Sequence, residues 1–412
     1  MAPIPRREKT KALHRISYLC GMKSMPTITL KFGKERSLQR FHPWVFSGAI
    51  HRYEGEPEDG DRVALKAANG DALGWGQYQK GSITVRMLGF GADLPNENFW
   101  LESMQRCFRH RRSAGLPNPD TNIFRLVHGE GDGLPGLVVD VYGSTAVVQC
   151  HSLGMFAERK AIADAILEAS SGLIAAVYDK SAEALGRKEG NDYLAGTPDN
   201  SQPCLENGHQ FRIDFVQGQK TGFFIDQREN RALLQRYAKD RTVLNTFCYT
   251  GGFSVYALAG GASRVDSVDS SKKAIELTQE NVAINGFSEN QHSALVADVP
   301  EWLKTHREAY DIIVLDPPAF AKHMDARHRA VQAYKRLNHL ALQQIRPGGL
   351  LFTFSCSQVV DHELFRHTIT AAAIESGRKI SVLHQLTQPA DHPVSVYHPE
   401  GEYLKGLVLL VD

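Results

Sequence analysis

Apolar and amphipathic stretches alternate along the second half of the chain. From about residue 230, short apolar runs of strand length are separated by segments of helix length. This alternation is typical of a parallel β-sheet whose strands are joined by helical crossovers. We therefore predict an α/β domain over residues 216–412, with strands at 242–246, 264–269, 292–296, 312–316 and 349–354 and a final pair near residues 380 and 407.

The first half of the chain has a different pattern. Residues 26–100 contain short apolar runs separated by polar turns such as Asn69-Gly70-Asp71, which predicts a small β-rich domain. Residues 101–215 contain both helix-like and strand-like patterns. They predict a central α+β domain that ends with a strand at 211–215. A helix expected over 97–114 has one apolar face and carries four arginines on or near the other side: Arg106, Arg109, Arg111 and Arg112.

Composition limits the class of protein. Of 412 residues, 42% are hydrophobic and 23% are charged, which is ordinary for a soluble globular protein. The net charge is only +1, so a nucleic-acid partner would have to bind a local basic surface. No apolar run approaches the roughly 20 residues of a membrane helix. The six cysteines form no CxxC pair and follow no secretory signal, so we expect a cytoplasmic protein without a metal site.

Residues 1–25 form a basic segment. The first 24 residues contain six lysines and arginines but only one acidic residue, Glu8. The apolar run at 16–20 is too short for the core of a signal peptide. We expect a disordered tail, or residues that precede the true start of the protein. An arm that grips RNA and an organelle-targeting sequence are less favoured alternatives.

A glycine-containing turn follows the strand at 242–246. The segment is Asn245-Thr246-Phe247-Cys248-Tyr249-Thr250-Gly251-Gly252. Glycine permits positive φ and a close approach of the backbone to a ligand, and ligands bind at the carboxyl ends of the strands in open α/β sheets. Asp269, about 20 residues further on, can bind both ribose hydroxyls of a nucleoside. The turn lacks GxGxxG and a Walker lysine, so it favours S-adenosylmethionine over NAD or ATP.

Two further carboxylates follow later strands. Asp298 can accept a hydrogen bond from an adenine amino group or can cap the helix that follows it, and the two roles can coexist. Asp316 opens the run Asp316-Pro317-Pro318-Ala319-Phe320. The two prolines stiffen this turn and remove two backbone donors, so we expect Asp316 to face an amide, an amidine or an exocyclic amine.

Cys356 is the candidate nucleophile. A lone cysteine at a strand end is most often a small buried hydrophobic residue. Cys356, however, follows the strand expected beside that of Asp316, and it lies between Ser355 and Ser357. A thiolate is a strong nucleophile when it is partly exposed and its pKa is lowered. Its addition to carbon 6 of a pyrimidine makes carbon 5 able to attack an activated methyl group. Cys248 is expected to serve packing.

A segment rich in glycine, aromatic and charged residues precedes the α/β sheet at 217–228. Such a mixture suits a lid over a cofactor or a base, and a hairpin that links two domains is the structural alternative. We expect the segment to serve both purposes.

Together these motifs resemble those of a known family. From about residue 26 to the C-terminus, the chain resembles bacterial 23S rRNA 5-methylcytosine methyltransferases, which join a PUA domain to a Rossmann-like methyltransferase domain. The segments that carry the resemblance are His42-Pro43-Trp44-Val45-Phe46-Ser47-Gly48, 131–136, 218–228, 245–252, 316–320, 334–338, 354–357 and 400–406.

The resemblance implies a role for each domain. Residues 26–100 would be a PUA domain that binds RNA, and residues 101–215 would be a central α+β domain that widens the RNA surface with the help of the arginine-bearing helix. Residues 216–412 would be the Rossmann-like domain that uses S-adenosylmethionine. The partner would be 23S rRNA, with a homodimer as a possible assembly and no membrane or metal.

The resemblance also implies residue roles. Cys356 would be the nucleophile, and Asp316 would bind the target ring and lie beside the cofactor. The cofactor would contact Gln227, Arg228, Asn245, Phe247, Tyr249, Thr250, Gly251, Asp269 and Asp298. The RNA would contact Lys220, Pro317, Pro318, Phe320 and Lys335. Another group of 5-methylcytosine enzymes uses a second cysteine next to its Asp-Pro-Pro-type motif for product release. Pro317 stands at that position here, so release needs another base.

Two alternatives stay open. An Asp-Pro-Pro-aromatic turn also suits an exocyclic amine, so an N-methyltransferase acting on adenine or guanine would need Asp316 but not Cys356. A PUA-based RNA-binding factor with a vestigial methyltransferase fold would need neither residue. The presence of Asp269, Asp298, Asp316 and Cys356 argues against the second alternative.

Overall fold

The computed structural model describes residues 25–187, 190–199, 203–306, 309–321 and 323–412. Within these ranges the chain forms three sheets of five or more strands, one for each predicted domain, and a separate hairpin. The predicted basic tail lies outside the described residues, apart from Met25. None of the helices in the described ranges combines the length and the apolar character that crossing a membrane requires.

The N-terminal domain is built on one sheet. Its elements are β1 (Thr27–Leu30), α1 (Arg36–Gln39), β2 (Trp44–Phe46), β3 (Ile50–Glu54), β4 (Arg62–Lys66), β5 (Ala72–Tyr78) and β6 (Ile83–Phe90). The strand order is β2-β6-β5-β4-β1-β3, and only β1 and β4 pair in parallel. Val63, Leu65 and Val85 are buried at alternating positions, because successive side chains of a strand point to opposite faces. The prediction of a β-rich domain is confirmed.

The central domain packs helices on a five-stranded sheet of order β11-β10-β9-β8-β7. Its elements are α2 (Phe99–Ser113), β7 (Ile123–His128), β8 (Leu137–Tyr142), β9 (Thr145–Cys150), α3 (Leu153–Ala157), α4 (Arg159–Ala169), β10 (Ala176–Asp179) and β11 (Asp192–Gly196). The predicted helix over 97–114 is α2. Arg111, however, is buried and pairs with Asp132. It follows Met104 and Phe108 at helical spacing, so it shares their buried face and is not part of an outer basic surface.

A short hairpin replaces the strand that we predicted at 211–215. β12 (Cys204–Glu206) pairs with β13 (His209–Phe211) across Asn207 and Gly208, which both have positive φ. Asn-Gly between two strands is a strong hairpin signal, because both residues tolerate the left-handed conformation that a type I′ turn needs. The chain therefore turns back before residue 211 and leaves the sheet after it.

The C-terminal domain is an open α/β sheet. Its elements are α5 (Arg228–Tyr237), β14 (Thr242–Thr246), α6 (Gly252–Ala259), β15 (Arg264–Asp269), α7 (Lys272–Ile284), β16 (His292–Val296), α8 (Val299–Thr305), β17 (Tyr310–Leu315), α9 (Arg327–Leu342), β18 (Ile345–Ser355), α10 (His362–Ser376), β19 (Ile380–Leu386) and β20 (Lys405–Val411). The order is β16-β15-β14-β17-β18-β20-β19. The first five strands are parallel, and β20 runs antiparallel to both of its neighbours, β18 and β19. The predicted α/β fold is confirmed, and three strands have the predicted bounds.

Trp44 of the predicted RNA-binding motif joins the three domains. Its Nε1 donates to Glu130 Oε1 of the central domain at 2.9 Å, and its ring centroid lies 4.3 Å from that of His398 in the C-terminal domain. Beside it, potential ligand atoms of His42, His398 and Glu400 lie within 4.8 Å of one another. The absence of a metal site therefore stays a prediction.

A buried ion pair ties the segment between β19 and β20 to the start of α5, and the same carboxylate also binds the central domain. Arg228, at the start of α5, donates from Nη1 and Nη2 to both carboxylate oxygens of Asp391, at 2.9 and 2.8 Å. The backbone N–H of Arg125, in β7, donates to the same carboxylate at 3.0 Å. The neighbouring His392 and then Arg228 hold the pKa of the Asp391 carboxyl below its ordinary value, against the opposing effect of burial.

We predict that Asp391→Ala lowers the free energy of unfolding by about 3–5 kcal/mol, because it leaves the buried Arg228 charge without its partner. Urea unfolding followed by tryptophan fluorescence measures the change. Glu229→Ala is the matched control, since Glu229 pairs with the same arginine but is 63% exposed, and such a pair contributes at most about 1 kcal/mol. Equal losses in both variants would contradict a structural role for the buried pair.

Candidate active site

The site forms where neighbouring strands end. In the sheet, Thr246 of β14 pairs with Leu315 of β17, and Leu315 pairs with Thr353 of β18. Because these strands are parallel, the turns that follow them meet at one edge of the sheet. These turns carry the glycine-containing segment, Asp316 and Cys356. The predicted convergence of the three motifs is therefore observed.

The turn after β14 is a rigid cradle. Phe247, Tyr249 and Gly251 have φ of 53°, 47° and 79°, which is uncommon for the two non-glycine residues. A Cβ atom at Gly251 would lie 2.7 Å from Cγ2 of Thr278, so only glycine fits there without displacement. Thr250 is buried, and its carbonyl accepts a hydrogen bond from Asn281.

Two of the predicted cofactor residues support the cradle. Asp269 ends β15, and its Oδ2 accepts the N–H of Tyr249 at 3.0 Å while its Oδ1 accepts the N–H of Ser271 at 2.9 Å. Asn245 lies beneath the turn, where its amide donates to Ser254 Oγ at 2.8 Å and its Oδ1 is buried without a partner among the described residues. Asp269 thus fixes the turn and keeps a second lone pair on each oxygen for a further donor.

Asp298 has the capping role that the sequence left open. Its Oδ1 accepts the N–H of Glu301 at 3.0 Å and starts α8. The side chain is exposed, and the preceding Leu295 and Val296 are 39% and 54% exposed. An exposed apolar surface beside a carboxylate acceptor suits a purine ring, so capping and binding can coexist here.

The segment before α5 lies over the cradle. Tyr249 donates from its hydroxyl to the carbonyl of Gly222 and accepts the N–H of Gln219, both at 3.0 Å. Gln227 is buried and donates to Asp316 Oδ2 at 3.0 Å. Lys220, within the segment, is exposed to solvent. The predicted lid and linker roles are both compatible with these contacts.

Two predicted contact residues lie away from this edge. Arg228 is buried and donates both of its Nη groups to Asp391. Lys335 is on α9 and pairs with Glu375 of α10. The structure therefore does not bring these two cations together with Cys356, and their binding roles stay predictions.

Asp316 combines burial with a nearby like charge. Burial is the larger cause that raises the pKa of its carboxyl to about 7, the carboxylate of Asp226 is the next, and the hydrogen bond from Gln227 opposes both. Pro317 is buried and Pro318 is exposed. The carboxyl of Asp316 can therefore carry a proton near neutral pH, a condition that suits an acid in catalysis.

Cys356 is half-buried beside the same carboxyl. Burial raises the pKa of its thiol to about 12, with Asp316 and Asp226 as further causes, while Lys405 lowers it. The neighbouring Ser357 hydroxyl lies 3.0 Å from that of Tyr334, whose ring packs against Phe320 at 4.7 Å. These contacts tie the turn after β18 to the turn after β17.

Sequence reasoning assigned no roles to Asp226, Tyr403 and Lys405, although all three belong to segments that carry the family resemblance. Tyr403 donates to Asp226 Oδ2 at 2.7 Å. Lys405 is buried and donates from Nζ to the carbonyls of Ser357 and Tyr403, at 2.8 and 2.6 Å. Burial lowers the pKa of Lys405 to about 8. The pairing of β20 with β18 places Lys405 opposite Ser355, and the hydrogen bond from Tyr403 places Asp226 beside that tyrosine.

Two family models match the chain, one in its N-terminal part and one in its C-terminal half. A model described as S-adenosylmethionine-dependent methyltransferase matches residues 178–396, which is more than half of the chain, and a PUA-like domain model matches residues 28–90. The cofactor of this family is S-adenosylmethionine. The cradle, the Asp269 carboxylate and the exposed apolar residues at the end of β16 fit its nucleoside, since they offer acceptors for hydroxyls and a surface for a purine.

Relatives match nearly the whole chain. The "Ribosomal RNA large subunit methyltransferase I" of Alteromonas mediterranea is 40% identical over 390 residues, covering 92% of this chain and 98% of the relative. Its namesake in Klebsiella pneumoniae subsp. pneumoniae is 37% identical over 395 residues, covering 94% and 98%.

Solved structures share the fold. "A putative sam-dependent methyltransferase from Streptococcus mutans" covers 93% of this chain and 100% of that chain, with a TM-score of 0.80 at 24% identity. A putative methyltransferase complexed with SAH covers the same shares with a TM-score of 0.81 at 24% identity. The sequence relatives and the two family models show that the chain belongs to the family of ribosomal RNA large subunit methyltransferases I, in which a PUA-like domain is joined to an S-adenosylmethionine-dependent methyltransferase domain.

Proposed function

We propose that this protein methylates carbon 5 of a cytosine in large-subunit ribosomal RNA and that Cys356 forms a covalent bond to carbon 6 during the reaction. One observation carries the proposal: a thiol, a carboxyl group of raised pKa and a buried lysine meet at the ends of β18, β17 and β20. Thiolate addition to a pyrimidine needs a nucleophile, a proton for the ring and a group that receives the thiol proton. Cys356, Asp316 and Lys405 match these needs.

Asp316 is suited to protonate the ring. Thiolate addition at carbon 6 pushes electrons towards N3, and a proton on N3 neutralises the charge that develops there. Because the pKa of Asp316 is raised to about 7, its carboxyl holds a proton for much of the time at neutral pH. Gln227 fixes the orientation of this carboxyl through its hydrogen bond to Oδ2.

Lys405 is suited to activate the thiol. The raised pKa of Cys356 means that the thiol is protonated at rest, so the addition requires a base. The lowered pKa of Lys405, about 8, leaves a fraction of neutral amine at pH 7 that can take the thiol proton. The ammonium that results then stabilises the thiolate. S-adenosylmethionine supplies the methyl group that carbon 5 attacks.

The assignment of ribosomal RNA as the substrate rests on the domain composition and on the relatives. The PUA-like domain and the names of the relatives favour ribosomal RNA of the large subunit. The target cytosine must leave its stack, because carbon 6 is inaccessible within a helix. With a net charge of +1, affinity must come from local basic surfaces. The cytoplasmic location and the homodimer remain predictions.

Methylation of an exocyclic amine is the second candidate. The Asp-Pro-Pro-Ala-Phe turn by itself suits that chemistry, which needs neither a thiol nor a base beside it. The position of Lys405 opposite Ser355, next to Cys356, favours the carbon-5 reaction. The proposed RNA contacts of Pro317, Pro318 and Phe320 are common to both candidates.

We predict that Cys356→Ala abolishes methyl transfer but leaves the fold and cofactor binding unchanged. Wild-type protein should form a denaturation-resistant adduct with RNA that contains 5-fluorocytosine, because fluorine cannot leave as a proton does. Denaturing gel electrophoresis with labelled RNA detects the adduct. Cys248→Ala is the matched control, since this buried thiol packs against Thr278 and should not affect adduct formation. Methylation by Cys356→Ala would favour the amine reaction instead.

We predict that Asp269→Asn weakens S-adenosylmethionine binding by about 10–100-fold, since hydrogen bonds to a charged acceptor contribute about 1.5–3 kcal/mol. Isothermal titration calorimetry measures the dissociation constant. Asp298→Ser is an informative companion, because serine also caps helices. If Asp298→Ser binds as tightly as wild type, Asp298 has only the capping role. Unchanged affinity in Asp269→Asn would remove it from the cofactor site.

We predict that Asp316→Asn stabilises the protein more at pH 7.5 than at pH 5. An aspartate ionises near pH 3.9 in the unfolded chain but near pH 7 in the folded protein, so wild-type stability falls as pH rises through this window. The slope is at most about 1.4 kcal/mol per pH unit, whereas the asparagine variant lacks this titration. Thermal unfolding midpoints of both proteins at several pH values provide the test, and a constant difference would contradict the raised pKa.

A further inference from the structure

The carbon-5 reaction requires one group besides Cys356, Asp316 and Lys405. After methyl transfer, carbon 5 carries both a methyl group and a hydrogen, and a base must remove that hydrogen before the cysteine can leave. The thiolate adds to one face of the ring and the methyl group arrives from the other, so the hydrogen is displaced to the face of the thiolate. The base must therefore lie on the Cys356 side of the ring.

We propose that Asp226 is this base. Hydrogen bonds connect Asp226 to both turns of the site. The adjacent Gln227 donates to Asp316. Asp226 itself accepts from Tyr403, and Lys405 links the carbonyl of Tyr403 to that of Ser357, next to Cys356. The inference rests on the proposed function and adds a residue to it.

One oxygen of Asp226 is left for a substrate. Its Oδ2 accepts the Tyr403 hydroxyl at 2.7 Å, whereas its Oδ1 is buried and has no hydrogen-bond partner among the described residues. Buried acceptors without a partner are rare, because their desolvation is uncompensated. The bond from Tyr403 orients the carboxylate and leaves Oδ1 as the atom that can accept a proton.

The other groups near the thiol are less suited to the task. Asp316 has to hold the N3 proton, and Lys405 becomes an ammonium when it takes the thiol proton. Burial and Asp226 hold the pKa of Tyr403 well above its ordinary value, so its hydroxyl stays protonated. Pro317 has no side chain that can accept a proton. Asp226 is the remaining basic group in this described part of the site.

The proposed step is balanced. An Oδ1–H bond forms as the C5–H bond breaks, and the C5–H electron pair becomes the double bond between carbon 5 and carbon 6. The bond from carbon 6 to sulfur breaks, and its electron pair leaves with the sulfur as the Cys356 thiolate. The N3 proton returns to Asp316, and Asp226 later gives its proton to water.

Asp226→Asn provides the test, because asparagine keeps the size of the side chain and an acceptor for Tyr403 but is not a base. With transcribed large-subunit rRNA containing ordinary cytosine, the variant should accumulate a covalent complex that carries the transferred methyl group. Multiple turnover should fall by at least about 100-fold, a typical loss for a general base. Denaturing gels with a methyl-labelled cofactor show both effects.

Two controls make the result specific. Glu229→Gln changes an exposed carboxylate close by on α5 and should turn over like wild type without accumulating a complex. With 5-fluorocytosine RNA, Asp226→Asn should form its adduct as fast as wild type, because the addition precedes the step assigned to Asp226. This second control also shows that the variant is folded and binds both substrates.

The outcomes separate the two proposals. If wild type forms no adduct with 5-fluorocytosine RNA, the carbon-5 function itself fails. If wild type forms it but Asp226→Asn turns over normally, or is inactive without accumulating a complex on ordinary cytosine, Asp226 is not the base and only the present inference is overturned.

Discussion

The parallel pairing of β14, β17 and β18 is the constraint on which the active site depends. Its register places Thr246, Leu315 and Thr353 side by side, and each strand then ends in a turn that carries chemistry. A slip of one residue would turn every side chain of a strand to the opposite face of the sheet. The antiparallel strand β20 extends the same register and brings Lys405 opposite Ser355. Backbone hydrogen bonds therefore fix the spacing of the proposed catalytic groups.

Burial at this edge determines which group holds a proton. Two carboxylates that share a low-dielectric site cannot both ionise without cost, so the proximity of Asp226 favours the protonated form of Asp316. The same burial keeps the Cys356 thiol protonated. Because the thiolate is the form that reacts with oxidants, burial in this environment also slows the oxidation of Cys356.

The predictions from sequence succeeded where neighbouring residues in the chain determine the structure. Strand bounds such as Arg264–Asp269 follow from apolar runs whose period and length are visible in the chain. The hairpin was not predicted, although its Asn207-Gly208 turn is visible in the sequence, because a single strand was expected at 211–215 instead. Arg111 was expected on or near the polar side of α2, although its spacing from Phe108 places it on the buried face.

Some contacts of the candidate site join residues that are far apart in the sequence, so no local sequence pattern predicts them. The partner of Arg228 lies 163 residues away in Asp391, and the partner of Asp226 lies 177 residues away in Tyr403. Neither pairing follows from the periodicity of the sequence, since each depends on how distant segments of the chain pack in the folded protein. A sequence motif therefore predicted that these segments matter, while the roles of their charged residues required the tertiary structure.

Pro317 bears on the choice of the proposed base, because it stands where another group of enzymes has a second cysteine. A second thiol there would share an environment in which burial raises the pKa of a thiol to about 12, and it would hold its own proton. An unperturbed carboxyl group is more acidic than a thiol by about four to five pKa units. Even at Asp316, burial and a neighbouring charge raise the pKa only to about 7. At this edge of the sheet the Cys356 thiol therefore holds its proton to a higher pH than the Asp316 carboxyl does.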